Sequence, residues 1–159
     1  METKYNLIGL DLAQSDALID NLNDLLANYA VFYMNVRGFH WNIRGAQFFE
    51  LHLKFQELYE NLVVKIDDIA ERVLTLGGKP THAYSDFLEE TNIPEVSNIS
   101  DGRDAVVSIL DSLRILLVKQ RDLLSIADEA DDEGTCALMS DYIREQEKMV
   151  WMYSAFSQI

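Results

Sequence analysis

Two of the three histidines, His40 and His52, lie twelve residues apart in the aromatic stretch HWNIRGAQFFELHLKFQ, residues 40–56. Further along, Asp67 and Glu71 are four residues apart, as are His52 and Gln56. On a helix that spacing puts each pair on one face. Imidazole nitrogen with carboxylate oxygen is a donor set that suits a first-row transition metal. A lone helical histidine is more often a packing or hydrogen-bonding residue, and an Asp/Glu pair more often a solvated face. Reach decides what a metal site would require. If His52 and Asp67 share one helix, fifteen residues separate them by about 22 Å at 1.5 Å per residue. Metal–ligand bonds are roughly 2 Å, so the two residues of one chain cannot hold the same ion. A second copy of the helix packed antiparallel about a two-fold axis removes the separation, and two equivalent sites then form per dimer.

Bundles that hold two metals within one subunit commonly use Glu-x-x-His pairs on two helices. The residues three before His40, His52 and His82 are Arg37, Phe49 and Lys79. An intrasubunit site of that kind is therefore disfavoured, which leaves an interface site or no metal.

The elements that must position these residues are helices. In 159 residues there are only 7 Gly and 2 Pro, and 48% of residues are hydrophobic against 25% charged. That length fits one domain, and the scarcity of turn formers argues for long helices with few connections. Apolar residues recur at helical spacing from Leu18 through Val36, with Asp11 or Ser15 as candidate caps. A longer run extends from Gln47 to Leu76 and is stopped by Gly77, Gly78 and Pro80. The pattern breaks between Thr81 and Asp101, where YSDFLEE can form two helical turns before Pro94. Ser100 or Asp101 then caps a third long helix, which the acidic run DEADDEG ends, and Thr135 opens a fourth. The reading is all-α: four long helices with one long crossover, holding a short extra helix, between the second and third. No internal repeat or low-complexity segment is present.

Charge narrows the partners. Twenty-seven acidic residues against 13 basic ones give a net charge of −14, a surface that attracts cations and repels phosphate backbones and anionic membranes. The most apolar window, Leu18 to Val36, contains Asp20, Asn21, Asn23, Asp24 and Asn28, too costly for a bilayer interior. Cys136 alone cannot form an intramolecular disulfide, and no leader pattern precedes the first amphipathic run, so a cytoplasmic protein is expected. Cys136 reads as a buried small residue, and His82, after Pro80, as exposed.

The segments HWNIRGAQFFELH, IDDIAERVLTLGGKP and EKMVWMYSAF together resemble the Dps family, the miniferritins of the ferritin-like superfamily. The resemblance extends from about Leu18 to Phe156. It implies a ferritin-like four-helix bundle assembled as a hollow dodecamer, with ferroxidase centres at two-fold interfaces. There Fe(II) would be oxidised, preferentially by hydrogen peroxide, and the ferric product stored in the cavity. Carried over residue by residue, His40 and His52 would come from one subunit and Asp67 and Glu71 from its partner. Trp41 would lie close to the centre, as an electron donor or simply as a core aromatic.

One position departs from the family pattern. Four residues after the second histidine an acid is usual, and here stands Gln56. A neutral amide brings an oxygen but no charge, so the second iron position should bind more weakly. Glu57 lies about 100° round the helix and is a poor substitute. The resemblance also implies an iron-entry pore lined by acidic residues near the run DEADDEG, where Asp128 and Asp132 are the expected carboxylates. The family's DNA binding usually relies on a lysine-rich tail, whereas Lys4 is the sole lysine among the first 36 residues; DNA is not an expected partner. The expected function is thus an iron-oxidising, iron-storing cage that protects against oxidative stress. The alternative is a structural or binding bundle that kept the cage and lost the oxidase.

Overall fold

The computed structural model describes residues 4–158. The Asp11 carboxylate accepts the amides of Ala13 and Gln14 at 3.0 and 3.3 Å, two of the donors that a helix start leaves unpaired. From this cap α1 runs over Leu12–Asn42. Ser15, the other candidate cap, lies inside the helix and turns its hydroxyl back onto the Asp11 carbonyl at 2.8 Å. The helix outruns its apolar pattern at Val36 and carries His40 in its last turn.

A short turn reverses the chain into α2, Phe48–Thr75, inside the expected span. Its end is built by Gly77, at φ +91°, which needs the freedom of a residue without Cβ. Gly77 donates to the Leu74 carbonyl and Gly78 to the Val73 carbonyl, both at 2.9 Å, the paired bonds that close a helix through a left-handed residue. The segment YSDFLEE forms α3, Tyr84–Glu90. Asp101, rather than Ser100, caps α4, Gly102–Glu129, by accepting from Arg103 and Asp104 at 2.9 and 3.0 Å. The last helix, α5, spans Glu133–Ser157 and starts two residues before Thr135, because Asp132 is its cap.

α1 packs along α2, α4 along α5, and α1 joins the two hairpins by packing on α4. Leu22, Phe32, Phe55, Leu62, Ile109, Leu116 and Met139 are among the buried side chains at the centre. The long crossover is pinned by two asparagines seven residues apart on α1. Asn28 Oδ1 accepts the amides of Asn92 and Ile93 at 2.9 and 3.1 Å. Asn35 accepts from the Val96 amide at 3.1 Å and donates to the Pro94 carbonyl at 2.9 Å. Backbone groups that no helix can pair are thereby satisfied. No helix among the described residues is long and apolar enough to cross a membrane.

Candidate metal centre

His40 and His52 each stand six residues from Ala46 in the α1–α2 turn. Antiparallel packing of the two helices therefore brings them face to face. His40 Nδ1 lies 2.6 Å from the His52 carbonyl oxygen, and His52 Nδ1 lies 2.7 Å from the His40 carbonyl oxygen. The His40 carbonyl is among the last of α1, where the helix itself supplies no partner: the amide of Arg44, which would reach it, donates instead to Ser100 at 3.0 Å. A carbonyl only accepts, so both Nδ1 atoms carry hydrogen. In the neutral rings both Nε2 atoms then keep a lone pair, the state a metal needs.

The two rings are stacked, with centroids 3.8 Å apart and planes 16° from parallel. Phe48 stacks on the other face of His52 at 5.1 Å, and Tyr59 meets His40 edge-on at 5.2 Å. Packing and the reciprocal bonds together fix both ring orientations before any ligand arrives. The Arg37 guanidinium sits over Tyr59 at 4.4 Å and over Trp41 at 4.9 Å, within the range of cation–π attraction. Trp41 is 59% exposed, so it is not a core aromatic of the protomer; it lies beside the histidine pair on the surface. Phe48, Tyr59 and Arg37 are parts of this site that sequence patterning did not single out. Aromatic spacing alone does not separate a ring that clamps an imidazole from one that fills a core.

Asp67 and Glu71 share the exposed side of α2, and neither forms an ion pair among the described residues. They lie on the helix that carries His52, beyond its reach, as the spacing required. Accordingly, no cluster of three or more His, Cys, Asp or Glu side chains able to hold an ion occurs among the described residues of one chain. Glu57 is bound to Lys54 at 2.8 Å on the exposed surface. Gln56, half-buried next to His52, donates its amide to Glu60 at 3.0 Å.

The middle of the bundle, where facing helices can build an intrasubunit metal site, is closed by neutral groups. Tyr29 donates to Gln120 at 2.5 Å, Gln146 donates to Tyr29 at 2.6 Å, and Gln120 donates to Gln146 at 2.8 Å. Burial pushes the Tyr29 phenol well above its ordinary range, so it stays protonated. Nearby, the buried Lys65 ammonium bonds Glu145 at 2.7 Å and Asn61 at 2.9 Å.

Two expectations need correction. Asp132 is 2% exposed and is held by Arg72 at 2.6 Å while it caps α5 through the Thr135 amide at 3.0 Å. Both bonds fall on Oδ1, and Oδ2 accepts from the Thr135 hydroxyl at 2.5 Å, so both oxygens are used inside the protomer and the side chain does not line a pore; Asp128 remains exposed at the end of α4. Cys136 is half-buried rather than buried, and desolvation followed by the charges of Asp128, Glu133 and Asp132 raises its thiol pKa. His82 is exposed, as expected, with Nδ1 3.0 Å from the Pro80 carbonyl oxygen.

The same fold recurs in known proteins. A family model described as a ferritin-like domain matches residues 19–158. A protein from Haemophilus influenzae of no described function is 53% identical over 95% of this chain and 94% of its own length. The DNA protection during starvation protein of Porphyromonas gingivalis is 40% identical over 99% of both chains. Among solved structures, the Dps protein of Vibrio cholerae O1 superposes with a TM-score of 0.96, at 55% identity over 98% of both chains. It is described as a member of a broad superfamily of ferritin-like diiron-carboxylate proteins. A fold, a family model and full-length relatives agree: this chain belongs to the ferritin-like family, in its Dps branch.

Proposed function

We propose that this protein oxidises Fe(II) with hydrogen peroxide at sites shared between two subunits and stores the ferric product in a dodecameric cage. The observation that carries the reading is the division of α2 into two complementary ends. At its N-terminal end His52 is paired with His40 of α1, two preoriented imidazoles with free Nε2 atoms. Toward its C-terminal end stand two exposed carboxylates, Asp67 and Glu71, without an ion-pair partner among the described residues. An antiparallel copy of α2 sets one end against the other and completes two sites at once. Between the ends, Val63 and Val64 are exposed on α2, as Met34 is on α1 and Tyr84 on α3. An apolar surface of this kind is what a second subunit would cover.

In the completed site the imidazoles hold Fe(II), and the carboxylates favour the harder ferric ion that forms. Two Fe(II) ions give one electron each to a peroxide, whose O–O bond breaks, and hydrolysis of the ferric product releases protons to solvent. Consuming both reagents together removes the source of hydroxyl radicals. Contact with DNA is not part of the mechanism, since a chain of −14 net charge, repeated in an assembly, repels the duplex. The cytoplasm, where free thiols persist, suits a chain with one cysteine.

Anaerobic Fe(II) followed by peroxide, with ferric absorbance as the readout, tests the reading. Asp67→Ala should slow the fast phase by a hundredfold or more, because even outer-shell partners of metal sites are worth about 10–100-fold. An unchanged rate, or a monomer in solution, would sink the interface site. The alternative, a cage without an oxidase, is permitted by Gln56, and predicts assembly of the native protein without peroxide-dependent oxidation.

A further inference from the structure

We propose that Glu60 is a positioning residue for the second iron position, acting through Gln56. The inference rests on the interface site proposed above and concerns the one donor that departs from the expected acid. Helical side chains lean toward the N-terminus of their helix, so Gln56 leans over the surface beside His52, and Glu60 leans over Gln56. The hydrogen bond realises this order: Gln56 Nε2 lies 3.0 Å from Glu60 Oε1.

The polarity of that bond is fixed by chemistry. An ionised carboxylate only accepts, so the atom facing Glu60 is the amide NH2, and the opposite atom of the same planar group is the carbonyl oxygen. A metal takes the oxygen and is repelled by the NH2. A free glutamine presents either; one whose NH2 is held by Glu60 presents the oxygen. The anionic acceptor also polarises the amide and makes its oxygen a better donor. Glu60 itself is eight residues from His52, about 12 Å along the helix, so it acts at one remove and is not a ligand. The site thus recovers, through a relay of two side chains, part of the charge that Gln56 lacks.

Co(II), which peroxide-free buffer leaves unoxidised, is the probe: titrated into the assembled native protein, it reports each binding event by its visible absorption and by calorimetry. Glu60→Gln keeps the shape of the side chain, lies on the surface and removes only the charge and the fixed polarity. It should weaken the second Co(II) event by about 10–100-fold and leave the first in place. In a Gln56→Glu background the direct carboxylate needs no relay, and the same change should be neutral or should tighten binding, because it removes a like-charge pair four residues apart. An unmoved second event in Glu60→Gln, or an equal loss in both backgrounds, overturns the proposal. Asp67→Ala distinguishes that outcome from failure of the interface site: if both Co(II) events survive Asp67→Ala, the site itself is misplaced and the relay falls with it.

Discussion

The two sides of α2 treat their polar groups in opposite ways. On the inner side, Lys65 is tied to Glu145 and Asn61, and Arg72 to Asp132 and Thr135. No buried side-chain nitrogen or oxygen among the described residues is left without a hydrogen bond. On the outer side, Asp67 and Glu71 have no ion-pair partner among the described residues, and His52, paired with His40 of α1, keeps a lone pair on Nε2. Burial explains the difference, since an unpaired polar group costs free energy in the interior and almost nothing in water. The interior is therefore finished chemistry, and the outer face is where a ligand can still gain. This contrast favours a site on the surface of the protomer, where bundles with an intrasubunit site carry it at their centre.

The largest effect should come from breaking the inner side. Asp132→Ala removes the α5 cap and strands the Arg72 guanidinium, which lies 18% exposed; a loss of roughly 3–5 kcal/mol in unfolding free energy is expected by denaturant titration. Asp67→Ala, on the outer side, should abolish fast oxidation yet shift unfolding by less than about 0.5 kcal/mol. If the two changes exchanged their effects, the division between finished and open faces would be wrong.

A smaller effect sharpens the comparison at the helix ends. The α4–α5 turn uses the same paired bonds as the α2 end: Asp131 donates to the Asp128 carbonyl at 3.1 Å and Asp132 to the Ala127 carbonyl at 2.9 Å. Here the left-handed position is filled by Asp131, at φ +55°. Glycine avoids the clash of Cβ with the following carbonyl, so Asp131→Gly should stabilise by about 1 kcal/mol, read as a raised Tm.

The smallest concerns an exposed acid. Desolvation, with help from Asp24, Asp86, Glu89 and Asp20, raises the Glu90 pKa in the folded chain. The folded state then binds this proton more tightly than the unfolded one, so stability falls as pH rises through and above the ordinary glutamate range, near 4.3. Glu90→Gln should raise Tm slightly at neutral pH and leave it unchanged below that range. A thermal melt series across pH checks both halves.

The helices and the logic of the site were legible in the chain. Apolar residues recurring at helical spacing marked α1 and α2, since a stripe of that period buries only as a helix. Fifteen residues between His52 and Asp67 ruled out a shared ion within one chain, because helix rise is fixed by covalent geometry. Helix starts were legible only to within a choice of residues. Asp11 and Ser15, or Ser100 and Asp101, offer the same oxygen chemistry, and the winner is the one whose backbone leaves the helix at the right point.

What the tertiary structure alone decided are contacts between residues far apart in sequence or without a periodic signature. Sequence placed His40 and His52 in one aromatic stretch; only the α1–α2 turn made each ring the partner of the other's carbonyl and so set both tautomers. Asp128 and Asp132 are the same residue type in one acidic run, yet one is exposed and the other is buried against Arg72, 60 positions away. Gln56 stood in the sequence as a missing charge. Its bond to Glu60 gives it a direction, because an amide can offer a metal its oxygen only when something else holds its NH2.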